Sequence, residues 1–375
     1  MTESPWILKA KKGLEKLADI DIDNFKMIHR PPYRSMNSGA TGIPYAFWKA
    51  ACVLSEPRWL HLGRFWIEKV LSMPEDSPEY ELPEEKGVTA RLDVDNSLYH
   101  GNRGIYFVQN LIACAQNDNQ NINRSLNNLS KPETRAHRME DVLQGRPGRL
   151  IADAILYREN GNQFLLRHGN ELADSLLDSA FKYDREVPWG NNHLLGMAHG
   201  RGGIYYSLIL WASQTGYLLP GWFEEETLKF ARSGIEQEKG ISFPIDERRP
   251  DNYMDSWCNG APGLIHLWAS AYELFGQKEF LDTARKSGEY CVMKQKYTLG
   301  HLCCGSAGAS YGLLALYRID PDPFWLKQAE RFALMAEKSR FISIYPFGLY
   351  TGLSGYVCLL LDINRPDKAL QPAFQ

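Results

Sequence analysis

Two kinds of helical stretch alternate along the chain. One kind is apolar almost throughout, as in Ile204-Tyr-Tyr-Ser-Leu-Ile-Leu-Trp211 and Tyr311-Gly-Leu-Leu-Ala-Leu-Tyr317. Such runs suit helices buried on all sides, and they are too short to span a bilayer. The other kind carries charges on one face and apolar residues at helical spacing, over 223–235, 278–293 and 324–338. That spacing predicts amphipathic helices lying on the outside.

A Gly-x-x-Gly turn precedes most of the apolar runs and recurs seven times. Its first glycines are Gly39, Gly101, Gly145, Gly200, Gly260, Gly305 and Gly352. An amphipathic helix, a loop, the turn and a buried helix make one repeat. Seven repeats, none able to bury its apolar face alone, predict an all-α closed or stacked helical array. The third repeat breaks the pattern, because residues 117–137 are polar and Asn-rich and read as a loop insertion. Glycine at the turn admits positive φ and close backbone approach.

Composition narrows the class. The repeat runs through all 375 residues without a linker, and a hydrophobic fraction of 44% supplies a large core. We therefore read residues 1–375 as one domain. A formal net charge of −3 without a basic stripe argues against nucleic acid as a partner. The polar start, Met1-Thr-Glu-Ser-Pro5, does not read as a signal peptide, and no run is long enough for a transmembrane helix. Seven cysteines, an odd number, suggest a reducing, cytoplasmic setting with free thiols.

Three of those cysteines carry the strongest chemical signal. Cys258 and Cys303 each stand two residues before a turn, and Cys304 directly precedes Gly305. Three thiolates suit Zn2+ and leave a fourth position open, as catalytic rather than structural zinc requires. The plain alternative is three small buried hydrophobes, but recurrence at one turn position favours a metal. Cys52, Cys114, Cys291 and Cys358 lie inside helical segments and read as core.

His199 precedes Gly200 as Cys304 precedes Gly305, so it is a candidate acid–base catalyst, with a fourth ligand or a structural role as alternatives. Asp141, four residues before the third turn, could orient His199 or move a proton. By position alone it reads as a helix-start cap. His100 precedes Gly101 in the same way and is a candidate for substrate binding. Arg103, Arg146 and Arg201, inside three turns, face either an anionic substrate or solvent. His301 has only proximity to recommend it as a ligand. The acids of Arg91-Leu-Asp93-Val-Asp95 read as an ordinary loop rather than the flanking pair of a glycosidase.

The seven turns, Gly196-Met-Ala-His-Gly200, Trp257-Cys-Asn-Gly-Ala-Pro-Gly263 and Leu302-Cys-Cys-Gly-Ser-Ala-Gly308 together resemble the LanC-like family, from about Asn37 onward. The resemblance implies an α/α toroid of seven helical hairpins with zinc where the turns meet. By motif, Cys258 and Cys303 correspond to the family's cysteine ligands, and Cys304 stands where a Cys-His-Gly segment usually has histidine. His199 matches the family's catalytic histidine and Asp141 an aspartate of its Asp-Val-Ile-x-Gly-like segment. Met254 stands where many bacterial cyclases carry arginine, and Asn259 replaces a frequent tyrosine; Arg248 and Arg249 are the nearest basic candidates in sequence. Asn259 and Arg201 join His100 as candidate substrate contacts.

The implied activity is thioether formation in a peptide bearing dehydrated Ser or Thr and a Cys, with a separate dehydratase or kinase/lyase supplying the dehydro-residue. Two other readings stand beside it. One is addition of glutathione to dehydrated residues, toward which the Trp257-Cys258-Asn-Gly segment and the closing Pro372-Ala373-Phe374 lean. The other is a peptide-binding toroid without catalysis.

Overall fold

Helices built from the two kinds of sequence do pair, but in a different order from the one the repeat suggested. In the computed structural model, residues 3–77, 79–81, 89–91, 97–131, 140–293, 297–339 and 345–375 are described. The chain divides into two compact units, Met1–His137 with Arg340–Asn364, and Arg138–Ser339 with Arg365–Gln375.

The first unit opens with α1 (Pro5–Ala18) and the short α2 (Phe25–Ile28), followed by α3 (Gly42–Leu54) and α4 (Pro57–Ser72). A two-stranded antiparallel ladder, β1 (Glu79–Glu81) with β2 (Thr89–Arg91), precedes α5 (Asn102–Ala115) and α6 (Asn119–Leu129). Eight helices build the second unit: α7 (Arg146–Asn160), α8 (Gln163–Asp178), α9 (Arg201–Thr215), α10 (Gly221–Arg232), α11 (Ala261–Phe275), α12 (Lys278–Met293), α13 (Ser306–Ile319) and α14 (Pro323–Lys338). Between α10 and α11, β3 (Ile235–Glu236) pairs antiparallel with β4 (Ile241–Ser242). The amphipathic pattern that predicted a helix to residue 235 therefore ends at Arg232 and turns into this ladder. Helix α15 (Leu353–Ile363) returns to the first unit.

Each glycine turn launches a buried helix. Four of these helices pack chiefly on the amphipathic helix that follows, α3 on α4, α5 on α6, α11 on α12 and α13 on α14, whereas α7 meets α8 but packs more extensively on the next buried helix, α9. In the fourth pair, Tyr205 of α9 meets Phe223 and Phe230 of α10. The seventh pair joins α15 to α1. The buried class is buried all round, α9 without a break from Arg201 to Ala212.

The Asn-rich stretch is not simply a loop. Residues 119–129 form α6, started by the Asp118 carboxylate accepting from the Asn121 amide at 3.1 Å. Ser125, Leu126 and Leu129 are its buried face; residues 132–139 lie outside the described residues. Of the four cysteines read as core, Cys291 and Cys358 are buried, Cys114 is half-buried, and Cys52 is exposed. Asp93 and Asp95 also lie outside the described residues.

The glycines of the turn serve close approach, not positive φ. Gly260 has φ −144° and ψ −175°, extended backbone open to any residue. A Cβ on Gly263 would stand 1.9 Å from the carbonyl oxygen of Trp257, and one on Gly308 2.1 Å from that of Leu302. Positive φ occurs instead where helices end, at Gly161, Gly216 and Gly276.

Candidate metal centre

Six of the seven turns, all but the one at Gly200, share one backbone frame. The first glycine donates to the carbonyl four residues earlier, as Gly145 to Asp141 (2.9 Å), Gly260 to Ser256 (2.9 Å) and Gly305 to His301 (3.1 Å). The side chain at that earlier position usually accepts from the amide just before the glycine. Ser97 takes His100 (2.9 Å), Asp141 takes Gln144 (2.6 Å), Ser256 takes Asn259 (3.3 Å), and His301, through Nδ1, takes Cys304 (3.2 Å). A side-chain acceptor for an unpaired turn amide is the usual capping device.

His301 is thereby accounted for. Burial pushes its pKa down to about 4, so the ring is neutral and its Nδ1 lone pair is committed to the Cys304 amide.

In the second unit, neighbouring turns are also tied to one another by their main chains. Leu143 N donates to Ala198 O (3.3 Å), Ala198 N to Cys258 O (2.8 Å), and Cys258 N to Cys303 O (3.3 Å). This ladder sets Cys258 beside Cys303 and brings the residue before each glycine to one rim. Cys258 Sγ lies 3.5 Å from Cys304 Sγ, which lies 3.3 Å from Cys303 Sγ, and all three sulfurs fall within 4.8 Å of one another. Tetrahedral zinc with bonds of ~2.3 Å sets its sulfurs ~3.8 Å apart, so the two pairs made by Cys304 need separate by only about 0.3–0.5 Å to take the ion. The donor set and its spacing fit zinc.

The thiols share charge unequally. Hydrogen bonds from Cys303 and Cys304, aided by Ser256 and the charge of His199, outweigh burial and hold the Cys258 thiol well below its ordinary range. The same contacts, together with burial, push the Cys303 thiol well above it.

His199 stands one turn away on the ladder. Its Nδ1 lies 3.1 Å from Asp141 Oδ2, and its side chain is a third exposed whereas Asp141 is buried. Burial works against a charged imidazole, but the hydrogen bond and charge of Asp141, with Cys258 adding, raise the His199 pKa above its ordinary value. An ionised Asp141 requires the proton on Nδ1, which leaves Nε2 free for exchange.

The remaining sequence candidates are placed less uniformly. Asn259 turns its Nδ2 toward Cys258 Sγ, 3.7 Å away, while Met254 Sδ approaches the same sulfur at 3.8 Å. Sequence reasoning missed that Met254 touches the thiol cluster rather than merely marking an absent arginine. Arg201 is buried and ion-paired with Glu247, which also takes His193 Nδ1 at 2.9 Å. Arg146 is bound to Glu140, and Arg103 donates to the carbonyls of Leu129 and Lys131. The turn arginines thus tie down neighbouring segments. His100 belongs to the first unit, where it lines a narrow cleft with Arg34 and Asp76. Arg248 is engaged by Asp246 at 2.6 Å.

The family profile described as lanthionine synthetase C-like protein matches residues 33–375. The chain belongs to that family. Among curated proteins it is similar to "Glutathione S-transferase LANCL1" of Danio rerio, 31% identical over 235 residues, covering 60% of this chain and 54% of that protein. It is also similar to "LanC-like protein GCL1" of Arabidopsis thaliana, 26% identical over 189 residues, covering 48% and 43%. The chain thus matches about half the length of these curated relatives. Among solved structures, nisin cyclase superposes with a TM-score of 0.69 at 16% identity, over 97% of this chain and 95% of that one. That likeness establishes the fold: this LanC-like chain has the expected all-α toroid fold class. Among the described residues no helix is long and apolar enough to cross a membrane.

Proposed function

We propose that this LanC-like chain is a zinc-dependent cyclase that forms thioether bonds, adding a cysteine thiol to a dehydroalanine or dehydrobutyrine of the same peptide. The observation that supports it most is the cluster of three cysteine sulfurs on the same ladder of turns as a His–Asp pair. Cys258, Cys303 and Cys304 would hold the metal. Zinc bound there would supply a Lewis acid that lets an incoming substrate thiol lose its proton near neutral pH.

The substrate sulfur attacks the β-carbon of the dehydro-residue, and the π-electron pair moves toward the α-carbon and its carbonyl. His199, protonated and steadied by Asp141, delivers the proton to the α-carbon from Nε2, so the net change is addition of S–H across C=C. Asn259 Nδ2 and Met254, both beside Cys258, would border the approaching chain. The family match runs through both units, which supports reading them as one functional domain. Reduced sulfur at the cluster fits a cytoplasmic location, and the dehydro-residue would come from a separate dehydratase or kinase/lyase.

A second reading keeps this chemistry and takes glutathione as the thiol. Similarity to a protein named glutathione S-transferase favours it. A dehydrated peptide with one internal Cys, offered with glutathione to zinc-loaded protein, tests both. Ring closure removes the free thiol without a mass change, whereas glutathione transfer adds the mass of the tripeptide. Neither product from zinc-loaded protein would sink both readings and leave a binding toroid.

A further inference from the structure

The Asn-rich segment that interrupts the repeat also shapes the surface of the first unit. Helix α6 has 11 residues where α4 has 16, and a groove of about 500 Å³ opens along α4, α5 and α6. That volume falls within the ~300–1,000 Å³ range of ligand sites. One stripe from each helix lines it: Arg64, Glu68 and Leu71 on α4, Gln109 and Ile112 on α5, Arg124 on α6. From residue 64 to 72, α4 rises ~12 Å, the span of about four extended residues.

Two features give the groove a chemical preference. Gln109 is only 6% exposed; its Nε2 reaches Asn121 Oδ1 at 3.4 Å, and its Oε1 has no hydrogen-bond partner among the described residues. A buried amide oxygen without a donor costs free energy that an incoming N–H would recover. Arg64 and Arg124 are exposed at the rim. Arg64 is paired with Glu68 at 3.0 Å, whereas Arg124 makes no ion pair among the described residues, so the lining carries a net charge of +1 from two arginines and one glutamate.

We propose that this groove binds an extended acidic peptide segment, its backbone N–H on Gln109 Oε1 and its carboxylates at Arg64 and Arg124. The inference rests on the reading that the substrate is a peptide: the groove would grip the chain away from the residues that react. Tethering at such a site raises the effective concentration of the reacting segment without adding contacts at the chemical centre.

The test uses a fluorescein-labelled octapeptide of alternating Glu and Ala, free of Ser, Thr and Cys, and its Lys–Ala counterpart. Saturable anisotropy change is expected with the acidic peptide alone. Arg64→Glu with Arg124→Glu should weaken binding about tenfold or more. Gln109→Met should weaken it about threefold. Both variants should keep the wild-type melting curve and zinc content. No saturable binding, equal binding of both peptides, or equal binding by wild type and the double variant would overturn the proposal. Cys258→Ala/Cys303→Ala protein should still bind the peptide, so failure of the thioether reading and failure of the groove give different results.

Discussion

Asp141 Oδ2 meets His199 Nδ1 at 3.1 Å while Oδ1 of the same carboxylate accepts the turn amide of Gln144 at 2.6 Å. The capping and catalytic readings of Asp141 are therefore not rivals. A carboxylate fixed by its own turn holds the imidazole of the next, so one buried group serves the cap and would serve the proposed proton transfer.

Asp141→Asn keeps an oxygen for the cap and removes the charge. Thioether formation should slow about a hundredfold, within the usual range for a disturbed general acid. Asp141 raises the His199 pKa against the opposing effect of burial. Its loss lowers that pKa, so the imidazolium disappears at lower pH and the alkaline limb of the rate profile moves down. A pH–rate profile with an unmoved limb would count against His199 as the proton donor.

Metal content should separate the two halves of the centre. Replacing Cys258, Cys303 or Cys304 with Ala should cost at least about a hundredfold in zinc affinity, more than the loss of an orienting neighbour. His199→Ala should keep zinc bound and lose the reaction. Chelator competition on each purified variant checks both. Zinc loss in His199→Ala would make that residue a ligand.

Glycine positions offer a paired stability test. Gly263→Ala drives a Cβ against the Trp257 carbonyl and should cost about 3 kcal/mol or more, lowering zinc affinity because Cys258 lies between. Gly221→Ala, at the start of α10 with nothing within 4 Å of the new methyl, should be neutral or stabilise by up to about 1 kcal/mol. Thermal unfolding of the two variants is the measurement; similar losses would contradict the close-approach account.

Phe374 is fully buried, stacked on Tyr206 at 4.2 Å and edge-on to Trp257 at 5.1 Å. Phe374→Ala should cost about 3–5 kcal/mol through the cavity it leaves. Trp257 precedes Cys258, so zinc affinity should fall with it. Unfolding and chelator titration would show whether the two effects travel together.

Much of this was legible in the sequence because the repeat places like residues alike. Recurrence two residues before a glycine singled out Cys258 and Cys303, and the apolar runs announced the buried helices. Helix α6 was missed because its asparagines favour turns locally; the signals that could have found it were the Asp118 cap and the helical spacing of Ile122, Leu126 and Leu129. The pairing of Arg201 with Glu247 joins residues 46 apart, and nothing local encodes it. For the turn glycines the sequence offered positive φ and close approach together; choosing close approach took the neighbouring carbonyl about 2 Å from the Cβ position, which leaves no mark on composition.

The hydrogen bonds that run from Leu143 through Ala198 and Cys258 to Cys303 involve only main-chain atoms. Where each side chain departs is therefore decided by peptide groups that every residue except proline possesses. Cysteine, histidine, asparagine and glutamine can trade places before the glycines without redrawing the frame, as Cys304, His199, Asn259 and Gln144 do here. A scaffold of this kind lets the donor set change one residue at a time while its geometry is inherited.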